Sequence, residues 1–483
     1  MRWFPNDMIA AEYYMHTLDL YDNSLFVAVG EGQELTIGVK KSTTINEDWA
    51  IFDDFSLTFY GNSSDAVDMY MANAAEAQSY YNGSDLVVTR QAGLLAMTFE
   101  TYGTSNVQHL NITGPLNATD LATLKKMASV RFLDLSNATL QEASLPDEAF
   151  TGMGLVSVAL PPAVTKVGKA LFKGCNQLAA IQWNTTASVP KAALEGVENP
   201  NLLLYVQNSS QADGATEAGI QNVISNNRAL NIVLTDAGTN NNFYCPRAFT
   251  AQNISYTHQY GMQTGIGHAT RGWEALSMPF DVKAISHETN GKLAPFAQGD
   301  AAAKPFWLYK MADDGFTPAA TIDANVPYIV SMPNNSQYGD EYIQAGKVTF
   351  SATNTIVPAT RGIVAKSGSS QFKPAFQRTE KADTVFAINK YSSYGSYPEG
   401  SIFLQGNREV RPFEAYITLS GSSARFVTIS EFIDGEATAI PEVSRLNKNE
   451  GVKSKTYYNL QGQRVATPRS GIYVVDGKKY VAK

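Results

Sequence analysis

The chain has 483 residues, too many for one ordinary hydrophobic core; at roughly 150 residues per domain it reads as about three domains. Apolar residues make up 44% and charged residues 17%, the latter below the usual share of about 25%, so the surface is polar but sparsely charged. A net charge of −8 without a polybasic block argues against a binder that tracks nucleic-acid phosphates, and no stretch approaches the roughly 18 apolar residues of a membrane-spanning helix.

Charge is placed unevenly. Residues 1–61 carry ten acidic side chains against Arg2, Lys40 and Lys41, whereas residues 451–483 carry seven basic side chains against Asp476 alone. The two ends are therefore different modules. Only Cys175 and Cys245 occur, which excludes a disulfide framework and a four-cysteine zinc site. Met1–Asp7 lacks the basic stretch and apolar run of a secretory signal, so the chain is either cytosolic or starts downstream of its natural beginning.

The first 61 residues favour the second reading. Leu35, Ile37 and Val39 alternate with polar neighbours, as do Phe55, Leu57 and Phe59, so both runs read as half-buried strands. So short a set of strands buries too little surface to stand alone. Leu35-Thr-Ile-Gly-Val39 and Asp48-Trp-Ala-Ile-Phe-Asp-Asp-Phe-Ser-Leu-Thr-Phe-Tyr-Gly61 resemble the last strands of carbohydrate-binding jelly-roll modules of bacterial surface proteins. Such a module would be partial here, its front strands missing. By strand parity Asp53 shares the face of Phe55, Leu57 and Phe59 and points inward, where an unpaired carboxylate is costly. Either backbone N–H groups cap it or it binds a structural calcium, as similar modules do; no other cofactor is expected. Trp49 reads as core.

Residues 62–104 read as a connector, with one helix over Ser64–Tyr81 ended by Asn82-Gly83-Ser84, and lead-in strands after it. Self-similarity follows. Ala149-Phe-Thr-Gly152, Leu171-Phe-Lys-Gly174 and Leu194-Glu-Gly196 recur with glycines 22 residues apart, each followed by an apolar triplet: Leu155, Val158, Leu160; Leu178, Ile181, Trp183; Leu202, Leu204, Val206. An earlier copy is Val130, Leu133, Leu135. A unit of this kind cannot bury its apolar residues alone, so copies stack, and residues 105–235 are expected to form a short solenoid with Leu133, Val158, Ile181 and Leu204 at equivalent inward positions. The run Leu160-Pro-Pro-Ala-Val-Thr-Lys-Val-Gly-Lys-Ala-Leu-Phe-Lys-Gly-Cys-Asn-Gln-Leu178 resembles the BspA-type leucine-rich repeat of bacterial cell-surface proteins, which implies adhesion and binding of host proteins. Cys175 reads as a buried apolar residue rather than a nucleophile, since no local motif supplies it with a base.

Residues 236–446 are strand and turn signals throughout and read as a β-sandwich. Gly272-Trp-Glu-Ala-Leu-Ser-Met-Pro-Phe-Asp281 and neighbouring segments resemble a module that commonly follows such repeats. Trp273 and Trp307 read as packing in preference to a glycan-stacking surface. Gly265-Ile-Gly267 has no βαβ context and is no dinucleotide fingerprint.

Residues 451–483 read as a small β module: Tyr458-Asn-Leu-Gln-Gly-Gln-Arg-Val465 as strand, turn and strand, and Ile472-Tyr-Val-Val-Asp-Gly-Lys-Lys-Tyr-Val481 as a hairpin turning at Asp476-Gly477. The run is similar to the carboxyl-terminal sorting domain of proteins exported by type IX secretion in Gram-negative bacteria. Arg464, Gly471, Lys478, Lys479 and Lys483 match that pattern, which implies contact with the secretion machinery and an extracellular or outer-surface location. Such export also needs an amino-terminal signal, which again places the natural start upstream of Met1.

Motifs for catalysis are absent: there is no His-Glu-x-x-His, phosphate loop or Gly-x-Ser-x-Gly, and His16, His109, His258, His268 and His287 lie far apart. The expectation is a mainly β, multidomain, non-catalytic surface protein that binds glycan or an extracellular protein through its repeats and β domain. The alternatives are an accessory fragment of a larger carbohydrate-active enzyme and a structural spacer.

Overall fold

The computed structural model describes the strand Asp85–Thr89, residues 92–93 and 95–96, residues 107–429 apart from 266–270, 313–314, 337–339, 361–364, 368–369 and 420–423, and four short strands between 457 and 482. The partial jelly roll of residues 1–61, Trp49, Asp53 and the expected helix over Ser64–Tyr81 lie outside the described residues. What is described is mainly β, in several sheets. No helix among the described residues is long and apolar enough to cross a membrane.

The first unit is a stack of short parallel strands. His109–Leu116, Phe132–Asp134, Ser157–Ala159, Ala180–Trp183, Leu203–Val206 and Asn222–Ser225 pair one after another, and Asp85–Thr89 extends the stack before them. The register puts Leu110, Leu133, Val158, Ile181, Leu204 and Val223 in one column. All four triplets anticipated from sequence lie in a single core. Gly152, Gly174 and Gly196 take φ of +75°, +75° and +81°, a conformation in which a side chain is strained, and so end each turn in the same way. Between the turns Phe150 and Phe172 stack at 5.6 Å, and the Cys175 thiol donates to the Phe150 carbonyl at 3.0 Å. Burial pushes that thiol up to about 11, consistent with a packing role.

Part of the opposite face of these strands is covered by the chain itself. Tyr244 covers Val156, Ala179 and Ala180 and meets the Phe132 ring at 5.0 Å. Five amides fasten the segment that brings it there. Asn199 donates to the carbonyls of Leu178 and Asn242, Asn201 to those of Thr235 and Asn241, and Asn222 to that of Pro200. Asn241 returns to Asp236, while Asn242 reaches Gln177 and accepts from the Arg378 N–H. Buried amides whose N–H groups are engaged in this way fix orientation, because any other docking would leave those donors unpaired.

Residues 236–429 are layered three deep, one layer more than the expected sandwich. The outer pair, Phe249–Tyr260 and Gly346–Val357, runs antiparallel over its whole length. A middle sheet holds Glu274–Ser277, Lys304–Ala312, Gly315–Pro318 and Pro327–Ser331. A third sheet of six strands spans Ala365–Thr428. Middle-sheet residues alternate between two cores: Tyr328 and Val330 face the outer pair, and Ile329 faces the third sheet with Trp273, Trp307 and Phe372. Both faces being covered explains why Pro327–Ser331 is buried at every position instead of alternating. Trp273 and Trp307 are 2% and 9% exposed, which makes them core.

Among the carboxyl-terminal strands, Gly471–Val475 and Lys478–Ala482 pair antiparallel with Val475 opposite Lys478; the expected turn residues Asp476 and Gly477 lie outside the described residues. Arg464 pairs with Tyr458, Gly471 with Ala482 and Lys479 with Val474; Lys483 lies outside the described residues.

The column makes a direct prediction. Ile181→Ala opens a cavity in a fully buried site and should cost about 2–5 kcal/mol in urea unfolding of the full chain, while Ile181→Asp should leave the stack unfolded.

Candidate functional site

Between the strands Phe386–Ile388 and Ile402–Gln405 the chain reads Asn389-Lys-Tyr-Ser-Ser-Tyr-Gly-Ser-Tyr-Pro-Glu-Gly-Ser401, with a tyrosine every third residue. Tyrosine, serine and glycine together suit a recognition loop: a large, stiff contact group among small polar ones. Its base is built on Asn389, which is 1% exposed. The Asn389 amide donates to the carbonyls of Ser392 and Pro398, and its oxygen accepts from the N–H groups of Ser401 and Ile402. The tip is a second closure, with the backbones of Tyr394 and Tyr397 bonded in both directions at 2.9 and 3.0 Å. Gly395 takes φ +60° there, as the first central position of such a turn requires. The rings of Tyr394 and Tyr397 lie on Phe426 at 6.0 and 4.9 Å. Gly400 runs so close to the middle sheet that a Cβ would stand 2.6 Å from the Trp273 nitrogen. Tyr391 alone among the three turns outward, 60% exposed.

Guanidinium groups flank Tyr391. Arg408 and Arg411 stand 5.7 and 5.9 Å from its ring centroid, within reach of cation–π attraction. Both come from one turn whose Phe413 adopts φ +68°; this strain is held by the ring's burial, 4.6 Å from Tyr256. Arg408 is engaged through Nη1 by Glu414 at 2.6 Å and by the Glu409 carbonyl, and through Nε by the Ile388 carbonyl.

Beneath the loop runs a line of alternating charge. Lys390, next to Tyr391, pairs with Glu274. Glu274 also meets His258 Nε2 at 3.0 Å, and His258 Nδ1 meets Asp236 at 2.5 Å. Asp236 directly follows the strand Arg228–Thr235, which pairs parallel with Phe249–Tyr260, so the line runs from the outer sheet through the middle sheet to the loop. Burial opposes charge on His258, but its hydrogen bonds to Asp236 and Glu274 outweigh this and hold it up at about 9. Burial likewise opposes charge on Glu274, and the hydrogen bond and charge of His258, with Lys390, bring it down to about 2. Asp236 is lowered, its burial outweighed by His258, and Lys390 is raised, its burial outweighed by Glu274. At neutral pH the line is therefore minus, plus, minus, plus. An imidazolium that donates from both nitrogens has no lone pair to take a proton, so this Asp-His pair is a clamp and not a general base.

The sequence-derived site residues fall elsewhere. Arg464, Gly471, Lys478 and Lys479 lie in the carboxyl-terminal strands, and Asp53 lies outside the described residues. Of the histidines, His109 stacks on Phe132 at 4.4 Å and His287 is bonded to the Ala345 carbonyl and the N–H groups of Thr289 and Asn290. No group of three or more metal-ligating side chains stands together among the described residues. Compared with known proteins, the chain matches no family model and no curated sequence.

The charged line sets a pH profile. The ordinary values are 6.5 for His258 and 4.5 for Glu274. The raised His258 contributes fully below 6.5 and is lost as pH rises through about 9; the lowered Glu274 contributes fully above 4.5 and is lost as pH falls through about 2. Stability from this cluster should be greatest between pH 4.5 and 6.5, and His258→Gln should remove its alkaline limb in melting curves taken across pH. Lys390→Met leaves Glu274 short of a partner and should cost about 3 kcal/mol.

Proposed function

We propose that this is a non-catalytic binding protein of the bacterial outer surface, built from a leucine-rich repeat solenoid, a β-rich region and a sorting module, and that the loop 389–401 is its ligand-binding surface. One observation carries the reading: an exposed tyrosine on a loop whose every turn is fixed from below. Ordering a loop before binding removes an entropy cost at the moment of binding. The solenoid reading is supported by the in-register apolar column and the recurring glycine turns. Tyr244 occupies part of the sheet face that such repeats would offer a partner, which shifts recognition toward the loop.

A glycan is favoured over a protein ligand, because the exposed loop surface is one aromatic ring among Ser392, Ser393 and Ser396, suited to the C–H face and hydroxyls of a sugar. Sorting by residues 451–483 rests on the resemblance of Arg464, Gly471, Lys478 and Lys479 and on the paired strands that carry them.

Two experiments test the proposal. The full chain should bind members of a panel of glycans and extracellular matrix proteins, and replacing residues 391–397 by glycine and serine should abolish that binding without lowering the melting temperature by more than a few degrees. Binding that survives the replacement would move the site elsewhere; no binding at all would favour a spacer. Removing residues 451–483 from a chain supplied with an export signal should leave it in the periplasm of a type IX-secreting host, and surface display of the shortened chain would overturn the sorting role.

A further inference from the structure

Resting on that loop as the binding surface, we infer that Tyr391 and Arg411 form a subsite for an anionic sugar residue, the ring lying against Tyr391 and its carboxylate or sulfate held by Arg411. The charge inventory of the turn beside Tyr391 points there. Three guanidinium groups face two carboxylates, and the pairing leaves one cation over. Arg378 takes both oxygens of Glu409 at 2.6 and 2.7 Å. Arg408 takes Glu414. Arg411 is left with a contact of 3.9 Å from its Nε to the already neutralised Glu409, and among the described residues its two Nη groups meet no acceptor. Its side chain is 49% exposed beside a ring that is 60% exposed.

An unspent guanidinium is a two-pronged donor matched to a carboxylate or sulfate. The ring beside it suits the C–H face of a pyranose, since its body is apolar and its hydroxyl stays in water. The backbone of Arg411 is anchored, its N–H bonded to Glu414 at 3.0 Å, so the side chain that carries the fork starts from a set point beside the ring. A neutral sugar would use only the stacking half of this arrangement.

Binding of the full chain is measured by calorimetry to a hyaluronan octasaccharide (carboxylate only), dextran sulfate oligosaccharides (sulfate only) and dextran of the same length (neither), alongside a panel of matrix proteins. At least one anionic glycan should bind roughly tenfold or more tightly than dextran, the worth of one charge-assisted fork, and which of the two binds identifies the anion. Arg411→Gln should erase that preference, and Tyr391→Ala should weaken all glycan binding. Both side chains are exposed, so melting temperatures should match the parent and serve as the folding control. Equal binding of dextran, or an anion preference that survives Arg411→Gln, would overturn the inference while leaving the loop as a glycan site. Binding of matrix proteins without glycans would overturn it in favour of a protein ligand, and binding of none of these probes would overturn the functional reading beneath it.

Discussion

One carboxylate organises the middle of this molecule. Glu274 is 4% exposed and is shared by His258 and Lys390, which sit 16 and 116 residues away. A lone carboxylate at that depth is too costly to keep. Its two cationic partners must therefore be delivered, one by the outer sheet and one by the third sheet. Each sheet is in turn obliged to pack where its cation reaches. The clamp thus adds little net energy compared with apolar packing, but it sets which of many apolar dockings is allowed.

The consequence reaches outward in both directions. Through His258 and Asp236 the charge line reaches the segment that packs on the parallel stack, where Asn241 binds the Asp236 carbonyl and Asn199, Asn201 and Asn242 lock that segment in place. Through Lys390 it reaches the base of the tyrosine loop, where Asn389 takes over. Stack, layers and loop are joined by buried polar groups with fixed geometry, while the apolar cores on either side fill the volume. A surface that is stiff because of what lies beneath it is the kind that binds with little reorganisation.

Parts of this were open to reading in the sequence and parts were not. The column of Leu133, Val158, Ile181 and Leu204 was legible because a stacked repeat writes the same spacing several times, and the antiparallel pairing of Gly471–Val475 with Lys478–Ala482 because both runs carry strand-forming residues. The third layer was not, since a strand such as Pro327–Ser331 carries no mark of which sheets cover it. His258 and Glu274 were individually unremarkable; only the fold brings Asp236 and Lys390 to them. Tyr391, Tyr394 and Tyr397 did carry a signal, a three-residue period among serine and glycine, which reads as a turn until the anchoring by Asn389 is seen.

The central claim is that the buried charge line holds the tyrosine loop in one conformation. Hydrogen exchange of the full chain and of its Glu274→Gln variant, read peptide by peptide at pH 6, tests it most directly. The loop amides of Tyr394, Tyr397 and Gly400, all hydrogen-bonded in the parent, should exchange faster in the variant, while peptides across Val158 and Ile181 keep their protection. Unchanged protection across residues 390–401 in a variant that has lost the clamp would contradict the account.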